Sequence, residues 1–460
     1  MVLLTLAAGE ATAPASDDST RRGGPVAPTI VMILTDDMPA NLLRWIPVVR
    51  QTLRTPGTTF DNSFVVNPLC CPARASLLTG NYSHTTGVYT NANGPHGGFE
   101  SFDDGSTLAT WLDEGGFHTG FFGKYLNGYG RGQRYIPPGW DRWTAFAERG
   151  GAYYDYTLSV NGHLERHGQL SSDYSTDVLR DHTLSFVSST PVDTPMFALY
   201  APFAPHGPAT PARRYRNALD LPRYRPPNFD EIGVQDKPAY IRQLPRLSRS
   251  GVRQLDTQRD HNAESLLAVD QAVGEIVQAL DAAGRLETAM VVFTSDNGFA
   301  FGEHRWLKKL TPYEESIRVP LVIRYDPLVA AGARDGRLVT NIDLAPTIAE
   351  VAGIPAPTTE GESLFPLFAD PEHEGRQAFL IEHLRDPDNN LDPPTYCAIR
   401  TRRSKYVRYR TGEHELYDLV ADPYELHNVA GTPGHRLEQR RLRERLRALC
   451  APRPPRMPRF

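Results

Sequence analysis

Short apolar segments recur along the chain with helical patterns between them, and this alternation constrains the fold more than any other feature. We predict strands for five such segments: Thr29–Leu34, His118–Phe122, Met196–Ala201, Met290–Thr294 and Val319–Tyr325. The first (TIVMIL) is a continuous apolar run, typical of a strand buried on both faces. Helices are predicted at Ser106–Glu114 and His261–Ala283. The pattern predicts an α/β fold with a large, mixed, mainly parallel sheet between layers of helices.

The residue pattern changes near position 373, where a smaller C-terminal α+β subdomain is predicted to begin. Ala398–Tyr409 and Glu415–Leu419 are separated by a glycine, which indicates an antiparallel hairpin, and His435–Leu449 has the pattern of a basic helix. We therefore divide the chain into a leader at 1–28, a main domain at 29–372 and the subdomain at 373–460.

Charge and cysteine content exclude several classes of protein. The 460 residues include 49 basic and 54 acidic side chains, giving a net charge of −5, so bulk electrostatics does not favour nucleic acid as a partner. Four cysteines are too few for a disulfide scaffold. No run of about 20 apolar residues occurs, so no membrane-spanning helix is expected.

The first residues of the chain have two interpretations. Val2–Ala8 is a short apolar stretch followed by small-residue sites at Ala11–Ala13 and Ala13–Ala15, but the basic residues that begin a signal peptide are missing. The segment is either a disordered leader or the tail of a secretory signal. The second interpretation predicts a secreted or periplasmic protein.

Polar residues follow four of the predicted strands directly or after a short turn. These residues are Asp36, Asp37, Lys124, His206, Asp296 and Asn297. In an open parallel sheet, ligands bind outside the carboxyl ends of the strands. Taken singly, each residue has a simpler explanation as a helix cap, a tight turn or a surface side chain. Their shared placement predicts that they meet at one edge of the sheet.

The acids and the amide in this set form an all-oxygen group of ligands. Such a group suits Ca²⁺ or Mg²⁺ and does not suit Zn²⁺, which prefers His and Cys. Four other side chains could hold the remaining oxygens of a tetrahedral anion: Arg74, Lys124, His206 and Lys309. Residue types and positions therefore indicate a metal-assisted site for a sulfate or phosphate ester.

The segment Leu69–Gly80 (LCCPARASLLTG) is the most specific stretch of the sequence. Pro72 suits the first turn of a helix, so Cys70 is expected just before a helix N-terminus, where free N–H groups favour an anion. The alternative is that Cys70 and Cys71 are inert and buried, or that one of them pairs with Cys397 or Cys450.

This segment resembles the signature of the sulfatase family, Cys-x-Pro-x-Arg followed by Thr-Gly. Further motifs of the family occur in order along most of the chain: Asp36-Asp37, Gly123–Asn127, Ala204–Pro208, Asp296–Gly298, Lys309 with Glu314, and Glu415–Leu419. The resemblance implies an alkaline-phosphatase-like fold. It also implies that Cys70 is oxidised to Cα-formylglycine by a formylglycine-generating enzyme, which makes this enzyme a maturation partner.

The resemblance assigns roles to residues of this chain. It implies Ca²⁺ rather than Mg²⁺, held by Asp36, Asp37, Asp296, Asn297 and the modified Cys70. It implies that a hydrated formylglycine attacks sulfur and forms a sulfated enzyme. Arg74 and Lys124 would stabilise the diol oxygen, and Lys309 and His206 would bind the sulfuryl oxygens. We also expect His304, which lies close in sequence to Asp296, to contact the substrate.

The residues of these motifs are most similar to those of N-acetylglucosamine-6-sulfatases and heparan-type carbohydrate sulfatases. This resemblance implies that the substrate is a sulfated carbohydrate such as 6-sulfated N-acetylglucosamine. Leu126 stands where arylsulfatases usually carry a histidine. A phosphonate monoester or phosphodiester hydrolase remains the main alternative. A non-catalytic carbohydrate-binding protein and a cysteine hydrolase with a Cys–His pair are further alternatives. Candidate recognition segments are Thr210–Ser250, Tyr153–Tyr156, Glu303-His304 and the C-terminal subdomain.

Overall fold

A computed structural model describes residues 27–130, 134–147, 150–386 and 393–458. All but the last two residues of the predicted leader at 1–28 lie outside this range. Within it, the predicted mixed sheet has ten strands in the order β12-β2-β11-β8-β1-β7-β3-β4-β5-β6.

The strands and helices have the following bounds. The strands are β1 (Thr29–Thr35), β2 (Thr58–Phe64), β3 (His118–Gly123), β4 (Arg142–Phe146), β5 (Tyr156–Val160), β6 (His163–His167), β7 (Met196–Ala201), β8 (Ala289–Ser295), β9 (Ala300–Phe301), β10 (Leu307–Lys308), β11 (Leu321–Tyr325), β12 (Ala333–Thr340), β13 (Ala378–His383), β14 (Tyr396–Thr401), β15 (Ser404–Tyr409) and β16 (His414–Asp418). The α-helices are α1 (Pro47–Val49), α2 (Cys70–Thr79), α3 (Ser83–Thr86), α4 (Leu108–Glu114), α5 (Ser175–Ser189), α6 (Ala239–Arg242), α7 (Arg249–Ala282), α8 (Glu314–Ile317), α9 (Leu344–Ala352), α10 (Phe365–Ala369) and α11 (Arg436–Leu449).

The central strands β8, β1, β7 and β3 are parallel neighbours, and each is buried along nearly its whole length. Successive residues of β1 point to opposite faces of the sheet. Val31 and Ile33 pack in a core cluster with residues of α5 and α7, whereas Ile30 and Met32 pack in a second cluster with residues of α2, α4 and α9. The sheet therefore lies between two helix layers, which explains why its central strands are continuously apolar.

The C-terminal residues form a separate antiparallel sheet with the order β13-β14-β15-β16. The terminal helix α11 packs on it, and a disulfide joins Cys397 in β14 to Cys450 directly after α11. All four strands follow position 373, while the domain boundary itself stays a prediction. The predicted hairpin segment Ala398–Tyr409 is divided into two strands by a turn at Arg402-Arg403.

The structure differs from the sequence predictions mainly at edges and at one helix start. Helix α7 begins at Arg249, well before the predicted His261, and the Ser248 side chain caps it by accepting the N–H of Gly251 at 3.0 Å. Strand β6 at the sheet edge is almost entirely exposed, so it has no apolar run to detect. Within the described residues, no helix combines the length and apolar character needed to cross a bilayer.

Candidate active site at the carboxyl edge of the sheet

The polar residues that follow the strands meet at one edge, because their strands are direct neighbours. Strand ends are aligned: Thr35 of β1 pairs with Ser295 of β8, and Gly123 of β3 pairs with Ala201 of β7. Gly123 has φ 139°, and a Cβ there would lie 1.9 Å from the carbonyl oxygen of Ala201. Glycine therefore allows β3 to end against β7 and to place Lys124 at the same edge.

Cys70 is the first residue of α2 and is fully buried at this edge. Its Sγ lies 2.7 Å from Lys309 Nζ, 3.5 Å from Asp36 Oδ1 and 3.8 Å from Asp37 Oδ1. Burial raises the pKa of the thiol, which disfavours a thiolate nucleophile at neutral pH. Cys71 instead packs within the apolar cluster beneath α2.

The oxygen ligands predicted from the sequence are packed against one another. The Asp37 N–H donates to Asp296 Oδ1 at 3.0 Å, and Asn297 Nδ2 donates to Asp37 Oδ1 at 2.6 Å. Asp37 has φ 65°, a left-handed conformation that costs energy in a residue other than glycine. The backbone is thus bent so that two adjacent carboxylates, Asp36 and Asp37, both reach the site.

Three buried cations surround these acids. Lys124 Nζ lies 2.5 Å from Asp36 Oδ2, Arg74 Nε donates to Asp296 Oδ2 at 2.8 Å, and Lys309 Nζ donates to Asp37 Oδ1. The carbonyl oxygen of Lys124 accepts from Arg74 Nη1 at 2.5 Å. Charges of both signs are therefore held in one pocket that excludes bulk water.

Burial and these charges shift the pKa values of the acids in different directions. Burial opposes ionisation of Asp36, but the charge of Lys124 and other cations outweighs it and lowers its pKa. The pKa of Asp37 is also lowered, since Lys309 and His206 outweigh burial. Burial, and then the negative charge of Asp36, raise the pKa of Asp296 despite Arg74. Asp296 is therefore the acid whose charge the protein stabilises least.

Unpaired polar atoms test whether a divalent cation and an anion fit here. Asn297 Oδ1 is buried and accepts no hydrogen bond, and Arg74 Nη2 is buried and has no acceptor among the described residues. A free oxygen beside three carboxylates fits a hard cation, and a free guanidinium N–H beside Cys70 fits an anionic oxygen. The residues present thus fit Ca²⁺ or Mg²⁺ together with an anionic ester.

Lys309 directly follows the two-residue strand β10, at the start of the loop that leads to α8, and does not follow a strand of the ten-stranded sheet. The Trp306 indole N–H donates to the Lys309 carbonyl oxygen at 2.8 Å. The next residue, Leu310, donates its N–H to Pro68 at 3.2 Å and accepts the Tyr396 hydroxyl at 2.9 Å. The loop is therefore fixed both to the segment before Cys70 and to the C-terminal sheet.

His206 follows β7 and is the most accessible of the predicted site residues, with 29% of its side chain exposed. Its Nε2 lies 3.6 Å from Asp37 Oδ2, and its Nδ1 is 2.7 Å from the Gly207 carbonyl oxygen. The Tyr153 hydroxyl donates to the His206 carbonyl at 2.9 Å, which holds the loop in place. His206 therefore lies where the buried pocket opens.

The opening leads into a cleft of about 1110 Å³. Its lining includes Asp37, His206 and Lys309 from the site, and Asn91, whose Oδ1 accepts the Cys71 N–H at 2.9 Å. One wall of the cleft is formed by the first turns of α7. The sequence pattern did not predict this wall, because the predicted helix starts only at His261. Polar residues at helical spacing from Ser250 onward were the available signal.

The structure does not place His304 with the other predicted site residues. Its side chain is fully buried, with Nδ1 2.7 Å from Glu231 Oε2 and Nε2 3.2 Å from Asn228 Nδ2. The ring stacks on Tyr313 at a centroid distance of 4.1 Å. His304 is not part of the cleft lining, so its substrate contact has no support from the structure and stays a prediction.

Comparisons with protein families match nearly the whole chain. Residues 28–354 match the family model described as "Sulfatase". Residues 302–451 match the family model described as "N-sulphoglucosamine sulphohydrolase, C-terminal". The first match contains the strand ends, the cysteine segment and Lys309, and the second contains the C-terminal sheet.

Named relatives agree with these matches. N-acetylglucosamine-6-sulfatase from Homo sapiens is 33% identical over 88% of this chain and 81% of its own length. The extracellular sulfatase SULF-1 homologue of Drosophila melanogaster is 33% identical over 77% of this chain and 33% of its own length.

Two solved structures are similar to this one over most of both chains. One was determined in complex with its substrate D-glucosamine-2-N,6-O-disulfate; it has a TM-score of 0.81 and 25% identity, and covers 92% of this chain and 98% of its own. The other, a phosphonate monoester hydrolase of Agrobacterium radiobacter, has a TM-score of 0.74 and 23% identity, and covers 92% and 96%. The second likeness shows the shared fold alone.

Proposed function

The chain belongs to the sulfatase family and is a sulfuric ester hydrolase, and we propose that it removes the 6-sulfate from a sulfated glucosamine. The human relative is named for this sulfate position, and the substrate in the similar complex carries a 6-O-sulfate. The family membership supports the reaction class, and these two relatives support the choice of sugar.

One observation carries the proposal: side chains from distant parts of the chain converge on Cys70. Its Sγ touches Asp36 and Asp37, which follow β1, and Lys309, which lies more than 230 residues later. Lys124 from β3 and Asp296 from β8 complete the group. A structural cysteine has no need of this many buried charges, because burying them costs energy.

Two groups that the family uses fit this arrangement. Formylglycine at position 70, once hydrated, supplies an oxygen nucleophile, and Ca²⁺ supplies positive charge next to a sulfate oxygen. We propose that Asp36, Asp37, Asp296 and Asn297 hold the ion together with the oxygen at position 70. Calcium is preferred because the ligands come from two separate loops, after β1 and after β8, and Ca²⁺ accepts irregular oxygen ligands more readily than Mg²⁺.

We assign the remaining catalytic roles to the cationic side chains according to where each one lies in the site. Arg74 and Lys124 lie below Cys70 and are fully buried, so we assign to them the stabilisation of negative charge on the nucleophilic oxygen. Lys309 contacts Cys70 Sγ and also lines the cleft, and His206 lies at its opening. We assign to these two residues the binding of the sulfuryl oxygens, and to one of them the transfer of a proton to the leaving sugar oxygen.

We place the enzyme outside the cytoplasm. The Cys397–Cys450 disulfide fits an oxidising compartment, and a relative is named an extracellular sulfatase. The apolar stretch near the start of the sequence supports the same location. Whether the protein is secreted or periplasmic follows from the cell that makes it.

The proposal is tested on protein made together with a formylglycine-generating enzyme. A mass spectrum of the Cys70 peptide should show the aldehyde, and the protein should release sulfate from 6-sulfated N-acetylglucosamine. The Cys70→Ala variant, prepared identically, should release none. An active protein with an intact Cys70 thiol would contradict the mechanism.

The same protein preparation also tests the main alternative, a phosphonate monoester hydrolase. For this test, cleavage of a phosphonate monoester is measured alongside cleavage of the sulfated sugar. Sulfate monoesters and phosphonate monoesters each carry one negative charge at the reacting group, so the charge of the site favours neither. We expect faster cleavage of the sulfate ester. Faster cleavage of the phosphonate would reassign the chain to the alternative activity.

A further inference from the structure

The lining of the cleft outside the buried pocket includes several basic side chains and almost no acid. Besides Lys309 and His206, its lining includes Arg253, His261 and Lys308. The only carboxylate in the lining that the structure describes is Asp37, which belongs to the buried pocket. A concave surface with one sign of charge attracts ligands of the opposite sign.

Arg253 and His261 project from one face of α7. The lining residues of this helix recur at helical spacing: Ser250, Arg253, Gln254, Thr257, Gln258 and His261. The rise of 1.5 Å per residue separates Arg253 from His261 by about 12 Å along the helix axis. This face therefore forms a polar wall that is long enough to contact parts of a ligand far from the reacting sulfate.

The three outer bases are free to bind a ligand. Arg253, His261 and Lys308 are exposed and form no hydrogen bond or ion pair with other residues that the structure describes. Asp256, the acid three residues after Arg253 on α7, forms an ion pair with Arg225 at 2.7 Å. An unpaired cation that faces a cleft keeps its capacity for a charged hydrogen bond.

The buried cations already suffice for the sulfate that is cleaved. Arg74, Lys124 and Lys309 surround Cys70, whereas Lys308 lies on the exposed rim one residue before Lys309. Lys308 has φ 80°, a left-handed backbone conformation that lets the Lys308 and Lys309 side chains point in different directions. The exposed outer bases thus form a group that is separate from the buried cations around Cys70.

We propose that Arg253 and Lys308, with His261 beside them, form a second anion subsite that binds a further negatively charged group of the sugar substrate. This inference rests on the proposed function and adds to it that the preferred substrate carries at least two anions. The second anion is a sulfate on the same ring or the carboxylate of a neighbouring uronic acid. Charged hydrogen bonds from Arg253 and Lys308 would bind either group.

Calorimetry on the calcium-loaded Cys70→Ala protein tests the subsite without turnover. Three ligands are compared: 6-sulfated N-acetylglucosamine, the same sugar with an N-sulfate in place of the acetyl group, and a disaccharide of the first sugar with a uronic acid. We expect at least one doubly charged ligand to bind about tenfold to a hundredfold more tightly than the singly charged one. The ligand that shows this advantage identifies the source of the second anion.

Adding Arg253→Gln and Lys308→Gln should abolish the advantage and leave the affinity for the singly charged sugar within about twofold. The matched control is Arg249→Gln, which removes an exposed charge from the same helix outside the cleft. Three results would overturn the subsite: no advantage for either ligand, an advantage that survives the double substitution, or equal loss in the Arg249 control.

Failure of the proposed function gives a different result. If the Cys70→Ala protein binds none of the three sugars and the modified wild type releases no sulfate from them, both the function and the subsite are wrong. If the wild type cleaves the singly charged sugar while the doubly charged ligands gain no affinity, only the subsite is wrong.

Discussion

At the scale of single residues, Lys309 is informative because its side chain contacts Cys70 and also lines the cleft. Its Nζ lies 2.7 Å from Cys70 Sγ and also donates to Asp37. Burial opposes its charge, but Asp37 and other nearby anions raise its pKa well above the usual range. The raised pKa keeps Lys309 protonated at neutral pH, so its side chain carries a positive charge beside Cys70.

We predict that Lys309→Ala lowers kcat by about 10²–10³, the cost of removing one donor that stabilises transition-state charge. The fold should persist, because Asp37 keeps its contacts with Asn297 and His206 and the lost side chain borders the cleft. Steady-state kinetics measures the loss, and circular dichroism checks the fold. A folded variant with normal kcat would remove Lys309 from the mechanism.

Asn297 is a second informative residue because its Oδ1 is buried without a donor. We predict that EGTA lowers the thermal midpoint of the wild type and that added Ca²⁺ restores it, since an ion bound only to the folded state stabilises that state. Asn297→Ala should weaken this response by removing one oxygen ligand. Thermal melts with and without EGTA that coincide for the wild type would contradict the calcium site.

At the scale of elements, α3 joins the cysteine segment to two acids from later parts of the chain. His84 lies 2.9 Å from Glu360 and 3.0 Å from Glu382 of β13. Burial opposes protonation of His84, but its interactions with the accepting carboxylates of Glu360 and Glu382 outweigh it and raise its pKa to about 10. This ion pair connects the main sheet to the C-terminal sheet close to the site.

A raised histidine pKa predicts how stability depends on pH. In the unfolded chain the pKa is about 6.5, so the contribution of His84 is fully present below that value and is lost as pH rises through about 10. The wild type should therefore be more stable than His84→Gln at pH 6, and the difference should shrink by pH 10. Urea unfolding of both proteins measures it; a pH-independent difference would contradict the ion pair.

The loop that carries Lys309 is also positioned by other elements. Tyr396 of β14 donates to Leu310, and the Tyr313 hydroxyl donates to Glu415 of β16 at 2.8 Å. The C-terminal sheet therefore does more than extend the fold: it holds in place a loop whose own short strands, β9 and β10, are only two residues long.

At the scale of the whole molecule, the two sheets are joined through a core that includes the disulfide. Cys397 and Cys450 pack with Val66 and Tyr82 from the segments on either side of α2. The bridge spans a sequence separation of 53 residues and fixes α11 to the C-terminal sheet. Stability of this subdomain therefore bears directly on the geometry around Cys70.

We predict that Cys450→Ala lowers the free energy of unfolding by about 2–5 kcal/mol, because it removes a covalent constraint on the unfolded chain. Sulfate release at 25 °C should be retained, since neither cysteine touches the active site. Denaturant unfolding of the wild type with and without reductant provides the matched measurement. Equal stability of oxidised and reduced protein would show that the bridge contributes nothing.

Local patterns in the sequence were sufficient to predict the core strands and most of the polar residues that meet at the carboxyl edge of the sheet. All five predicted strands are present within two residues of the predicted bounds, and they are direct neighbours in the order β11-β8-β1-β7-β3. The predicted metal ligands and Lys124 follow those strands, so their convergence required only the rule that parallel strands end at one edge. Cys70 and Arg74 were predictable for a similar reason, because both lie on one short helix.

Contacts between distant segments were decided by the tertiary structure alone. The sequence left the partner of Cys397 open, and the structure joins it to Cys450. His304 was predicted near the substrate, but its side chain is buried against Glu231. The predicted start of α7 was too late, so the sequence did not show that the first turns of this helix line the cleft. The reason is physical: apolar period, capping and spacing act within a few residues. The direction of a side chain on a loop is set instead by neighbours that can lie hundreds of residues away.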